Sequence, residues 1–144
     1  MVDQLPSIGS DSGYTEAVPV VIFNSAGQAV AAVQAQNIFY NDTTAVLTGA
    51  ATFTGTARDV GVAAGTATGI GYFNAFFFAD QAGTAFVEVS NDNTTWRVGA
   101  TAAVAINTPL TLTVPVMTRY HRVRLLNGAT LQTVVMVNSS YTGS

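Results

Sequence analysis

The chain contains no cysteine and no lysine, a single histidine (His121) and a single tryptophan (Trp96). Without thiols there is no disulfide framework, no thiolate nucleophile and no sulfur ligand for a metal. One imidazole excludes a His-based metal cluster, and the sequence around His121 supplies no nucleophile for a triad. Charged residues fill 9% of the 144 positions, whereas 49% are hydrophobic. Catalysis needs titratable groups converging in a pocket, and few exist here to converge. The expectation is a protein that is not an enzyme, with no cofactor, no metal and no small-molecule substrate. A net charge of −3 gives no basic footprint, so neither nucleic acid nor membrane is an expected partner. No apolar run approaches ~18 residues, which excludes a bilayer-spanning helix. Met1-Val2-Asp3-Gln4-Leu5-Pro6 lacks the basic and then apolar pattern of a secretory leader.

What is present is the vocabulary of strands and tight turns: Thr, Ala, Val, Gly, Asn and Phe. A soluble monomer commonly covers itself with a surface that is ~25–35% charged. This chain cannot do so, and copies of itself or a partner are expected to cover part of it.

Residues 1–18 are polar and irregular and cannot by themselves bury enough to offset their ordering entropy. They read equally as a tail or as an arm that orders against a neighbour. Val18–Phe23 and Ala29–Val33, joined by Asn24–Gln28, read as a hairpin. A short helix over 28–38 is the rival reading, and extended structure is favoured. Residues 1–40 are thus expected to form an arm and hairpin, and 41–144 a β-sandwich domain. Within the latter, strands are predicted near 45–48, 51–58, 70–79, 84–90, 101–106, 110–116, 119–126 and 131–138. Asn127-Gly128 between the last two predicts a hairpin, because both residues tolerate positive φ. No stretch after residue 40 has a helical period. About eight short antiparallel strands broken by Gly, Asn and Pro indicate an all-β, jelly-roll-like sandwich.

Alternation separates His121, Val123 and Leu125 on a core face from Tyr120, Arg122 and Arg124 on an outer one. Arg guanidinium suits interfaces, so Arg58, Tyr120, Arg122 and Arg124 are candidate interface residues. The segment 131–137 sets Leu131, Thr133, Val135 and Val137 against Gln132, Val134 and Met136, with apolar groups on both faces. Val134 and Met136 join the interface candidates. Tyr72, Phe76 and Phe78 likewise oppose Phe73 and Phe77. A sandwich strand needs one apolar face, and the second is expected to be covered by the N-terminal segment or another subunit. Trp96, after a turn, reads as a core plug rather than a sugar-stacking platform. Asp80 and Asp92 sit in turn contexts where Asp serves the backbone, and their spacing matches no Ca²⁺ loop. Paired carboxylates for glycoside hydrolysis, drawn from Asp42, Asp59, Asp80, Glu88 and Asp92, are not expected.

A series of short stretches carries a family resemblance: Phe53–Gly61, Ala79–Thr84, Glu88–Arg97, Val114–Val116, Arg119–Arg124 and Asn127–Thr133. Together, over roughly residues 50–140, they resemble the β-sandwich domain of tailed-bacteriophage head decoration (cement) proteins. The resemblance implies a jelly-roll-like fold, homotrimers bound to the major capsid protein on the exterior of the virion, and reinforcement of the shell. His121 departs from it, standing where a β-former such as Val is more usual. Similar Arg-Tyr-x-Arg-Val strands occur in jelly-roll carbohydrate-binding modules, so a carbohydrate- or receptor-binding module is the alternative.

Overall fold

The computed structural model describes residues 37–65 and 69–143, and the backbone of 22–23 and 29–30. The expected arm over residues 1–18 lies outside the described residues. The chain divides into two compact units, 1–34 and 35–144. In the first, β1 (Ile22–Phe23) pairs antiparallel with β2 (Ala29–Val30), with Ile22 opposite Val30 and Phe23 opposite Ala29.

The second unit is an antiparallel sandwich. Its strands are β3 (Ile38–Asn41), β4 (Thr52–Thr54), β5 (Arg58–Asp59), β6 (Ile70–Ala79), β7 (Gly83–Ser90), β8 (Arg97–Val104), β9 (Leu110–Pro115), β10 (Tyr120–Asn127) and β11 (Val135–Gly143). One sheet has the order β3-β11-β6-β9, the other β4-β10-β7-β8, with β5 beside β10 on the same edge as β4. Taking β4 and β5 as one interrupted strand leaves eight, with orders 1-8-3-6 and 2-7-4-5. That is jelly-roll connectivity, in which the chain changes sheet at nearly every connection. The β7–β8 hairpin is the exception, turning at Asn91-Asp92-Asn93 with Asn93 at φ 60°.

Period-two burial builds the core. β10 alternates strictly, with His121, Val123 and Leu125 buried. Opposite them, β6 contributes Phe73, Ala75 and Phe77, and β11 contributes Val137 and Tyr141.

Four local expectations need correction. Asn127-Gly128 is not a hairpin turn, because β10 and β11 lie in different sheets. Neither residue has positive φ. Instead, Asn127 Nδ2 donates to the carbonyls of Leu47, Thr48 and Thr130 at 2.7–3.0 Å, fixing the crossing between layers. Gly128 is required by proximity, since a Cβ there would stand 2.8 Å from the Ala82 carbonyl. Gly128→Ala is therefore expected to lower unfolding free energy by about 1–3 kcal/mol in denaturant titration. Residues 45–48 form no strand, and only Leu47 bridges to Gln132. The strand expected over 51–58 is cut at Gly55, where a Cβ would meet Val123 Cγ2 at 2.6 Å. One helical turn, α1 (Val60–Ala63), follows β5, capped by the Asp59 carboxylate accepting from Gly61 N at 2.8 Å. It is too short to show a period. Finally, 131–134 precedes the strand that begins at Val135. Asp80 takes the Thr133 N–H and hydroxyl, Gln132 is fully buried, and Leu131 faces solvent.

Candidate functional site

Three arrangements of side chains emerge from this topology. The first lies on the outer face of the β4-β10-β7-β8 sheet. Register sets Arg122 opposite Glu88 and Arg124 opposite Phe86. Glu88 Oε2 accepts from Arg124 Nε at 2.8 Å and from Arg122 Nε at 3.3 Å. Arg122 lies 4.1 Å over the Trp96 ring, and Arg124 3.9 Å over Phe86. The result is one row, Trp96–Arg122–Glu88–Arg124–Phe86, of alternating ion-pair and cation–π contacts. Trp96 is thus not the expected core plug. It follows a turn that delivers it to the outer face, where it is half-buried beneath a guanidinium. Glu88 is buried, whereas both arginines stay partly wet. Glu88→Ala leaves two cations with no counter-charge, and a loss of about 2 kcal/mol is expected in equilibrium unfolding.

The second arrangement is buried between the sheets. Asp42, just after β3, pairs with Arg58 of β5 and accepts from the Ser139 hydroxyl of β11. The Arg58 guanidinium lies 4.1 Å over Tyr40. Burial raises the Tyr40 phenol above its ordinary range, with Arg58 opposing. Tyr141 Oη donates to the Arg58 carbonyl at 3.1 Å and stands 2.9 Å from His121 Nδ1. With the Tyr141 proton committed, the neutral imidazole is assigned its proton at Nδ1, donating to Tyr141. Its Nε2 lies 3.4 Å from Thr118 Oγ1. Phe73 stacks on the ring with centroids 5.1 Å apart. Burial lowers the His121 pKa to about 4 and pushes that of Tyr141 up.

The third is the outer face of the β3-β11-β6-β9 sheet. Register aligns Phe39, Ser140, Asn74 and Thr113 in one row and Asn41, Asn138, Phe76 and Thr111 in the next. Tyr72, Phe78 and Met136 complete it. No residue named on this face is charged. Asn74 is fixed by Thr113 Oγ1 at 2.8 Å and Thr142 Oγ1 at 3.0 Å. Phe39 is 75% exposed, Met136 47% and Tyr72 42%.

The six interface candidates therefore do not share one surface. Arg122 and Arg124 meet on Glu88, and Tyr120 continues their strand beneath the Arg119 guanidinium, 5.3 Å from its ring. Arg58 is enclosed with Asp42 in the second arrangement. Met136 lies on the opposite outer face beside Phe78, and Val134 is exposed in the crossing that leads to β11. The sequence reading did not assign Glu88 and Trp96 to the Arg row, although alternation with Val87 and Val89 already turned Glu88 outward.

Chemistry is sparse in all three. Each carboxylate among the described residues is committed locally: Asp42 to Arg58 and Ser139, Asp59 to Arg119 and α1, Asp80 to Thr133, Glu88 to two arginines, Asp92 to its turn. Hydrogen bonds from the Thr95 and Thr94 N–H groups and the Ser90 hydroxyl hold Asp92 far below the carboxylate range. Ser139 is bonded to Asp42 and His121 to Tyr141, so the sole imidazole does not activate that hydroxyl. Among the described residues no three His, Cys, Asp or Glu cluster as metal ligands.

Residues 28–142 match the family described as the uncharacterised protein YqxG N-terminal domain. The chain belongs to that family. No curated protein matches it. Among solved structures, the PBSX exported protein XepA is similar with a TM-score of 0.64 at 19% identity, over 92% of this chain and 50% of that one. The YqxG N-terminal-type domain thus shares its fold with XepA and spans about half of XepA's length. A protein of the disulfide-linked pili of Bacillus endospore appendages gives a TM-score of 0.45 at 18% identity, over 81% of this chain and 97% of that one. A family 43 arabinoxylan arabinofuranohydrolase from Bacillus subtilis gives 0.36 at 16% identity, over 86% and 33%. These two are too remote to bear on function.

Proposed function

We propose that this domain is a non-catalytic structural module that binds the major capsid protein on the outside of a phage shell, as a homo-oligomer, and reinforces it. The observation that carries the reading is the uncharged outer face bearing Phe39, Tyr72 and Met136, which the sandwich itself leaves uncovered. Full burial of each such side chain is worth about 1.5–3 kcal/mol. Repetition around an oligomer on a lattice converts such modest contacts into high avidity. The engaged carboxylates and the isolated imidazole support a role without bond making. Residues 50–140 resemble head decoration proteins, which supports a position on the capsid exterior of a virion assembled in the host cytoplasm. The carbohydrate-binding alternative expects an exposed Trp96 or Tyr cluster on one face, and Arg122 occupies one face of the Trp96 ring.

The test is co-sedimentation of the full chain with empty, mature phage shells, followed by electron microscopy. Regular added density and a raised shell-disruption temperature are expected. Phe39→Ser with Met136→Ser should weaken retention at least about tenfold. Protein that stays in the supernatant with every shell offered refutes the reading.

A further inference from the structure

Asn127 and Gly128 form the chain's one Asn-Gly step. In an unfolded peptide this is the dipeptide most prone to deamidation, because glycine puts no Cβ in the way of ring closure. Gly128 N attacks Asn127 Cγ and gives up its proton, the Cγ–Nδ2 bond breaks, and ammonia departs. Water then opens the succinimide at either carbonyl, leaving aspartate or isoaspartate. No oxidant, reductant or cofactor takes part.

Both residues are fixed by the corner they occupy. The Ala82 carbonyl stands where a side chain at 128 would begin, and the Asn127 amide supplies the Leu47, Thr48 and Thr130 carbonyls. The fold instead disarms each reacting atom. The nucleophile, Gly128 N, donates to the Ala82 carbonyl at 3.1 Å. The leaving group, Nδ2, cannot depart without breaking three hydrogen bonds of 2.7–3.0 Å. Oδ1, where negative charge would gather in the tetrahedral intermediate, is buried and accepts from no described group, so nothing stabilises that charge. Asn127 is 2% exposed and pairs with Gly83 at the end of β10. Its extended backbone holds ψ far from the value a five-membered ring demands.

We propose that Asn127-Gly128 is a latent deamidation site that the native crossing between layers keeps shut, and that reaction there is a one-way latch against refolding. Aspartate at 127 would turn a carboxylate oxygen towards three carbonyls that now receive a donor, a buried charge without a partner. Isoaspartate would add a methylene to the main chain beside the close approach of residues 128 and 82. Either product opens the corner at Leu47 and Thr48. Chains that fold promptly are preserved, and chains that linger unfolded are withdrawn. This goes beyond the assembly reading and stands independently of it.

The test ages the full chain in mildly alkaline buffer, with and without denaturing urea. Peptide mapping by mass spectrometry follows Asn127 and separates aspartate from isoaspartate. Reaction in the folded chain must pass through opened molecules, so conversion at Asn127 is expected to be at least about tenfold slower without urea. In urea it should outrun conversion at every other asparagine. After the urea is diluted out, the refolded fraction should carry unmodified Asn127 and the unrecovered fraction the products. Gly128→Ala, aged in urea where its own stability does not matter, should lose most of the conversion at 127. Equal conversion with and without urea overturns the protection. Modified chains that refold completely, with the wild-type urea midpoint, overturn the latch. Conversion untouched by Gly128→Ala overturns the succinimide route.

Discussion

Lowering the pH from 7 to 4 is expected to remove about 3 kcal/mol of stability through His121 alone. Its ring is fully buried between Phe73 and Tyr141. A charge there would lose its hydration with no carboxylate bonded to it, and burial depresses its pKa from 6.5 to about 4. Between those values the unfolded chain binds a proton that the folded chain refuses. Stability therefore rises with pH across the window, is fully present above about 6.5, and is lost as pH falls towards 4. Each unit is worth about 1.4 kcal/mol. Asp59, Asp80 and Asp92 have lowered pKa values and act mainly below 3.8, outside this window. Urea titrations at pH 7 and pH 4.5 check the slope. His121→Phe, which keeps a ring on Phe73, should flatten it. An unchanged slope in that variant would assign the acid sensitivity elsewhere.

Asp42→Ala is expected to cost about 3–5 kcal/mol, since it breaks a buried ion pair from one side. The carboxylate ties the end of β3 to β5 through Arg58 and to β11 through Ser139. Its loss leaves a mostly buried guanidinium under Tyr40 and a buried hydroxyl with no acceptor. Two further variants separate these effects. Asp42→Asn keeps an acceptor for Ser139 and should cost less. Arg58→Met in the Asp42→Ala background removes the orphaned charge and should recover more than half of the loss in a double-mutant cycle. A cycle with no coupling would show that the pair contributes nothing of its own.

Both predictions turn on contacts that sequence pattern reaches unevenly. The inward placement of His121 was legible, because β10 alternates without a break. Its partner was not: Tyr141 lies 20 residues on, and the Tyr141 hydroxyl in turn donates to the distant Arg58 carbonyl. Asp42 shows the same limit, with Arg58 16 residues away and Ser139 97. The eight-strand sandwich was visible from strand spacing and turn residues, since each strand carries its own period. Which strands pair was not visible, since Asn127-Gly128 has the composition of a hairpin turn while serving as a crossing between layers. There the deciding interactions are side chain to distant backbone, at Leu47 and Thr48. Trp96 was misplaced for a related reason. Its position follows from the turn that Asp92 organises with the Thr94 and Thr95 amides, and hydrophobicity alone sent it inward. The uncharged sheet face was legible in Tyr72, Phe76, Phe78 and Met136, which alternate against buried partners.

Sedimentation equilibrium of the full chain over a wide concentration range measures most directly whether sister copies cover what the sandwich leaves open. A mass at a whole multiple of 14.9 kDa, falling towards one copy on dilution, is the result this account requires. A single copy throughout, with Phe39 and Met136 equally open to solvent when shells are added, would contradict it.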